Sequence, residues 1–308
     1  VQDQRGFMWF GTSDGLVRYD GYTATPYRNA PGDRSTLASN NISALLEDAS
    51  GTLWLGTRRG LDRFDTSTES VTHIPGGEHG IASVAALAGG QNGTIWAFGS
   101  RQLFAITMAT NDVARYALPA CGALRTASML VSASGRVWVA SGGLLAFDPR
   151  SGQAQCFRPA AATPSPAPAA AGAQAPLAVF TGVAETPDGH LWLSANNGLY
   201  EFDPGSARFT RYQPPRDPAP LSAAPNGPNF FGGLALGADG SGNLLVGTVI
   251  NGVYTFNLAQ RQFTASYRPD PVNPDSLSNA PINSIYRSRD GILWFGTAFA
   301  GVDRLDPL

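Results

Sequence analysis

Apolar residues in this chain come in bursts of four to six, separated by turns of Gly, Asp, Ser and Thr, a pattern that predicts short strands and almost no helix. One burst recurs. It reads GTLWLGT at 51–57, GFMWFGT at 6–12, GTIWAFG at 93–99, GRVWVAS at 135–141, GHLWLSA at 189–195, GNLLVGT at 242–248 and GILWFGT at 291–297. Each copy is a turn glycine feeding an apolar strand. Six of the seven place Trp at the same offset, and the seventh has Leu245. The second copy shows the full unit: strands at 42–47, 53–57, 61–64 and 71–74, with turns at 48–51, 58–60 and 65–69. Later units run over 81–116, 124–157, 179–212 and 230–267.

Spread over 308 residues, seven copies take about 44 residues each, the span of a four-stranded propeller blade. Trp9, Trp54, Trp96 and Trp138 follow one another at intervals of 42–45 residues. The wider gaps to Trp192 and Trp294 require insertions. One is the Pro/Ala-rich stretch 158–178, an extended low-complexity insertion or, alternatively, a lid over the fourth and fifth blades; the other is 213–229. At the ends, 1–3 align with the tail of a first strand, and GVDRLDPL stops after a third. The expectation is a single domain over 1–308: an all-β, seven-bladed β-propeller of four-stranded antiparallel blades, incomplete in its first and last blades and a segment of a longer chain.

A net charge of −2 and a pI near 5.9 leave no electrostatic footprint for nucleic acid or an anionic membrane. All 21 basic residues are Arg, which excludes lysine Schiff-base chemistry. No run of about 18 apolar residues offers a membrane span. His73, His79 and His190 share no metal-ligand spacing, the Asp-Gly turns lack a calcium-loop series, and no Ser or Cys stands in a nucleophile motif. No catalytic residue, metal or cofactor is therefore expected. The predicted inner strands hold only Glu47 and Glu185 as acids. A propeller lyase or lactonase remains the second reading, and a protein-docking scaffold the third.

In a meander, the turns between second and third strands share one face with the connections from each fourth strand to the next first strand. Those connections, at 28–41, 75–80, 117–123, 158–178, 213–229 and 268–281, are mostly longer and dissimilar. Variable loops on a constant scaffold mark this as the candidate binding face. Its residues are Asp14, Arg58, Arg59, Arg101, Asn196, Asn197, Asn251 and Phe299. Arg58, Arg59 and Arg101 lie on neighbouring blades and suit a carboxylate or sulfate held by forked hydrogen bonds, although solvated loop charge is the ordinary role of such residues. Asn197 and Asn251 precede Gly, as turn chemistry alone explains. Phe230, Phe231 and Phe299 are candidate stacking surfaces, whereas the Trp series reads as packing between blades. Cys121 and Cys156 flank the fourth unit; three strand spacings of about 4.8 Å would separate its outermost strands, so two free thiols are expected.

The stretches 28–57 (RNAPGDRSTLASNNISALLEDASGTLWLGT) and 268–297 (RPDPVNPDSLSNAPINSIYRSRDGILWFGT) resemble the two-component regulator propeller repeat. The sequences at 60–65, 15–20 and 301–306 supply its Gly-Leu-x-Arg-Phe/Tyr-Asp ending, the last with Val and Leu variants. The resemblance implies a periplasmic sensor domain on the N-terminal side of a membrane receptor, a hybrid histidine kinase or a diguanylate cyclase. The implied partners are a small-molecule or oligosaccharide ligand, further domains of the same chain and a second copy in a homodimer. Repeats three to six lose the Gly-Thr or the Trp.

Overall fold

The computed structural model describes residues 1–75, 80–122, 127–159, 178–214 and 233–307. The first sheet is β1 (Met8–Thr12), β2 (Gly15–Tyr19) and β3 (Ala24–Tyr27). The second is β4 (Ile42–Glu47), β5 (Thr52–Thr57), β6 (Gly60–Asp65) and β7 (Ser70–Ile74). The third is β8 (Ala86–Gly89), β9 (Thr94–Gly99), β10 (Gln102–Thr107) and β11 (Val113–Ala117). The fourth is β12 (Ser128–Val131), β13 (Val137–Ser141), β14 (Gly143–Asp148) and β15 (Gln153–Phe157). The fifth is β16 (Phe180–Glu185), β17 (Leu191–Ala195), β18 (Gly198–Asp203) and β19 (Arg208–Tyr212). The sixth is β20 (Gly233–Ala238), β21 (Asn243–Thr248), β22 (Val253–Asn257) and β23 (Gln262–Tyr267), and the seventh is β24 (Ile282–Arg287), β25 (Leu293–Thr297) and β26 (Val302–Leu305).

Every sheet is an antiparallel meander in chain order, and no helix occurs among the described residues. The fold is a seven-bladed β-propeller. Five blades have four strands and two, the first and last, have three. In the first blade a single bridge between Gln2 and Met8 stands where a first strand would pair. The chain divides into two compact units, one of Val1–Ala120, Ala127–Val139 and Phe147–Ala154, the other of Cys121–Thr126, Ala140–Ala146 and Gln155–Leu308.

Within each unit the core lies between successive sheets. Trp9 meets Phe64 of the next sheet edge-on at 5.4 Å, Trp96 meets Phe147 at 5.6 Å, and Trp192 meets Phe256 at 5.1 Å. Trp54 packs in the same manner with Ile106 and Phe104. Five of the six Trp side chains are buried and Trp294 is half-buried, so the series packs blades together as its spacing implied.

The recurring Gly-Thr has two separate causes. A Cβ on Gly56 would lie 2.7 Å from Val84 Cγ1 and 3.0 Å from Ala44 Cβ, so the glycine lets the next blade's entry pass against β5. The threonine closes the following turn: Thr57 Oγ1 donates to Gly60 O at 3.1 Å and accepts from Arg59 N at 3.1 Å. Thr12, Thr248 and Thr297 donate in the same way to Gly15, Gly252 and Gly301. At Ser141, where this Thr is absent, the following Gly142 instead exchanges paired backbone bonds with Phe180, at the start of the next blade's first strand. First strands also share a bulge after their first residue, seen at Ile42/Ala44, Phe180/Gly182 and Ile282/Ser284.

The cysteines overturn the expectation of free thiols. Cys121 and Cys156 form a disulfide with a Cα–Cα distance of 5.6 Å. Counting strands from β12 to β15 misplaces Cys121, because the connection that carries it runs past the start of the third strand. There its sulfur packs so closely that a Cβ on Gly143 would lie 2.5 Å away. One strand spacing, not three, then separates it from β15.

Candidate functional site

The connection at 28–41 is folded on itself. Ala30 N donates to Thr36 Oγ1 at 2.9 Å, Thr36 Oγ1 donates to Asp33 O at 2.9 Å, and Asp33 N donates to Ala30 O at 3.0 Å. Asp33 also receives the Ser35 hydroxyl and amide, which hold its carboxyl below the ordinary range. Leu37 anchors the loop in the core between β1 and β5, fully buried. From β6, Asp62 holds its far side: Oδ2 accepts Ala38 N at 2.8 Å and Oδ1 meets His73 Nδ1 of β7 at 2.7 Å. Asp62 is fully buried. A carboxylate can only accept, so Nδ1 carries the proton that Asp62 receives, and Nε2 is the ring nitrogen left outside that bond.

Between this loop, the β5–β6 turn and β7 lies a groove of about 320 Å³, lined among others by Asn29, Arg34, Leu37, Arg59 and His73. Arg34 and Arg59 are exposed and make no ion pair with any described residue. Two unpaired guanidinium groups and an imidazole edge around a concave surface form a site suited to an anion or to hydroxyl groups. Among the described residues no cluster of three or more His, Cys, Asp or Glu side chains is placed to hold a metal.

Of the residues singled out from the sequence, Arg59 lines this groove, while Arg58 and Arg101 are exposed turn residues that do not. Arg101 holds a left-handed backbone, φ 63°, in the β9–β10 turn. Asp14 is paired at the surface with Arg28, whose Nη2 donates at 2.7 Å; that hydrogen bond and charge keep the Asp14 carboxyl low. Asn196 Oδ1 accepts Val179 N at 2.8 Å, and Asn197 Oδ1 accepts the Tyr200 hydroxyl at 3.1 Å. Asn251 is buried, its amide bound to Thr248 Oγ1 at 2.9 Å. Phe299 is exposed in the β25–β26 turn. Phe230, Phe231, His79 and nearly all of both Pro-rich connections lie outside the described residues.

Reading the sequence for spacing alone missed Asn29, Arg34 and the Asp62–His73 pair. A signal for Asp62 does exist. The third residue of the third strand is Asp only in GLDRFD and GVDRLD, the two blades preceded by a Pro/Asp-rich Ser-Leu connection. The second of these is built alike: Asp270 N donates to Ser276 Oγ, Ser278 N donates to Asp303 Oδ2 at 2.9 Å, and Leu277 is buried.

A seven-bladed propeller whose two most alike blades share a folded entry loop is thus the class of protein defined by fold and site. Residues 36–59 and 276–299, which begin within those loops and run on through the first two strands of each blade, match the family described as two component regulator propeller. No curated protein sequence matches the chain. Among solved structures it is similar to the extracellular domain of the hybrid two component system BT4673 from B. thetaiotaomicron, at 20% identity and a TM-score of 0.74, over 99% of this chain and 37% of that one. For the corresponding domain of BT3049 from the same organism the values are 18%, 0.77, 100% and 39%. The chain therefore spans well under half the length of either. It is also similar to virginiamycin B lyase from Staphylococcus aureus, at 15% identity and a TM-score of 0.70, over 100% of this chain and 94% of that one. At these identities the likeness is one of fold. No helix of the described residues is long and apolar enough to cross a membrane.

Proposed function

We propose that this propeller is the ligand-binding part of a membrane signalling receptor, facing the periplasm, and that the groove beside the 28–41 loop takes an anionic or polyhydroxylated carbohydrate. The observation that carries this reading is the groove itself, where Arg34, Arg59 and the outer edge of His73 meet around a loop fixed from below by Asp62. The repeats at 36–59 and 276–299 support a regulator context, and the extracellular two component system domains of the same fold support its placement outside the membrane. The output is a histidine kinase or diguanylate cyclase elsewhere in the receptor, reached through a change in how propellers pair. A ligand drives that change only by its differential affinity for the two arrangements.

Calorimetric titration with a panel of uronic-acid and sulfated oligosaccharides tests the site. Replacing Arg58 and Arg59 together by Ala leaves folding intact and weakens an acidic ligand by about 1.5–3 kcal/mol per charged hydrogen bond lost. Arg59→Ala alone accounts for nearly all of it. Unchanged affinity in the double variant of a ligand bound by the parent places the site elsewhere.

A further inference from the structure

On the opposite face, where first-to-second and third-to-fourth strand turns gather, a cavity of about 490 Å³ opens between the third and fourth blades. Trp96 of β9 lines it and is only 5% exposed. In three of the other blades the indole N–H is tied to a side chain six residues earlier: Trp9 to Asp3, Trp54 to Asp48, both at 2.8 Å, and Trp294 to Ser288 at 3.2 Å. Six residues before Trp96 stands Gly90, where a Cβ would come within 2.7 Å of Nε1. The indole N–H of Trp96 consequently has no acceptor among the described residues, and it borders the cavity.

The rest of the lining is polar. Thr94 and Ser134 contribute hydroxyls, and Asp148 offers a carboxylate whose Oδ1 is held by Arg150 N at 2.9 Å. Arg136, half-buried with its guanidinium 5.7 Å from the Trp138 ring, and Arg150, exposed, have no ion-pair partner among the described residues. An indole N–H that opens onto a polar cavity with no protein acceptor is a donor ready for a bound molecule, and a cavity of a few hundred Å³ is the size that ligands of one or two rings occupy. We infer that this cavity is a second binding site, for a mono- or disaccharide bearing a carboxylate or sulfate. The oxyanion lies between Arg136 and Arg150, one ring oxygen or hydroxyl accepts from Trp96 Nε1, and Asp148 accepts a sugar hydroxyl.

The test follows the indole ¹H–¹⁵N resonances while the protein is titrated with digalacturonate, with cellobiose and inorganic sulfate as separate controls. The Trp96 resonance is assigned by its loss in Trp96→Phe, a change that keeps a ring against Tyr116 and Phe147. Digalacturonate is expected to shift that resonance saturably. Affinity should fall about fivefold in Trp96→Phe and at least about tenfold in the double variant Arg136→Ala, Arg150→Ala, as loss of one neutral and one or more charged hydrogen bonds requires. The arginine double variant, which removes no residue of the buried core, keeps the result decisive if Trp96→Phe does not fold. Arg59→Ala should leave this binding unchanged, which separates it from the groove proposed above. The inference is overturned if digalacturonate leaves the Trp96 resonance unmoved, if its binding survives the double variant, or if sulfate alone produces the same shift at the same concentration.

Discussion

Asp48 sits buried in the β4–β5 turn, where Oδ1 accepts Ser50 N at 2.9 Å and Thr52 N at 3.1 Å while Oδ2 accepts Trp54 Nε1 at 2.8 Å. One side chain closes the turn and orients the Trp that packs on the next blade, which is the physical content of the Asp-x-x-Gly-x-x-Trp spacing. In the sixth blade, Leu245 replaces the Trp, and Asn243 Nδ2 donates to Asp239 Oδ2 at 2.7 Å in its place. Asp48→Ala should therefore cost about 2–4 kcal/mol, since it strands several donors at once, and urea unfolding measures it. Asp65 gives a pH dependence. The Ser67 hydroxyl, then the Ser67 and Thr68 amides, lower its carboxyl from an ordinary 3.8 to about 2. A depressed carboxyl stabilises the fold above its unfolded value and loses that contribution as pH falls from about 4 through about 2. Acid titration of stability should accordingly be shallower in Asp65→Asn than in the parent over that window.

The entry loops carry the next level of organisation. At 28–41 and again at 268–281, a Pro/Asp-rich turn folds over a buried Leu and is held by an Asp from the third strand. Asp62→Ala leaves Ala38 N and His73 Nδ1 without their acceptor, and about 2–4 kcal/mol of loop stability should go with them. Hydrogen exchange at the Ala38 amide should accelerate far more than exchange in β5, and ligand affinity at the groove should fall with it. Equal protection at Ala38 in parent and variant would show that Leu37 alone fixes the loop. At Gly56 the constraint is steric: Gly56→Ala brings a methyl to 2.7 Å from Val84, and about 1–3 kcal/mol of destabilisation is expected from such overpacking.

For the molecule as a whole, the Cys121–Cys156 bond ties the entry of the fourth blade to its outermost strand across 35 residues. A loop of that length contributes about 2–4 kcal/mol when closed covalently. Cys121→Ser, Cys156→Ser should lower the urea midpoint by a corresponding amount, and reductant should do the same to the parent but not to the variant. Such a bond persists in an oxidising compartment, in keeping with the periplasmic placement proposed for the domain.

Seven copies of one strand burst at about 44-residue spacing determine the fold class by themselves, because a four-stranded meander cannot bury both faces alone and must stack on copies of itself. The buried Trp series, the turn residues and the incomplete first and last blades were legible for the same reason: each is a local pattern written along one strand or turn. The disulfide was not. Its geometry depends on where a connecting segment crosses a sheet, and strand counting cannot place that crossing. The groove was half legible. Arg59 shows itself as a loop charge on the variable face, whereas Arg34, His73 and Asp62 belong to three separate segments that only the packing of the 28–41 loop on β6 and β7 brings together. The cavity at Trp96 is likewise decided by tertiary structure, since a missing side chain at Gly90 matters only once the fold has placed an indole against it.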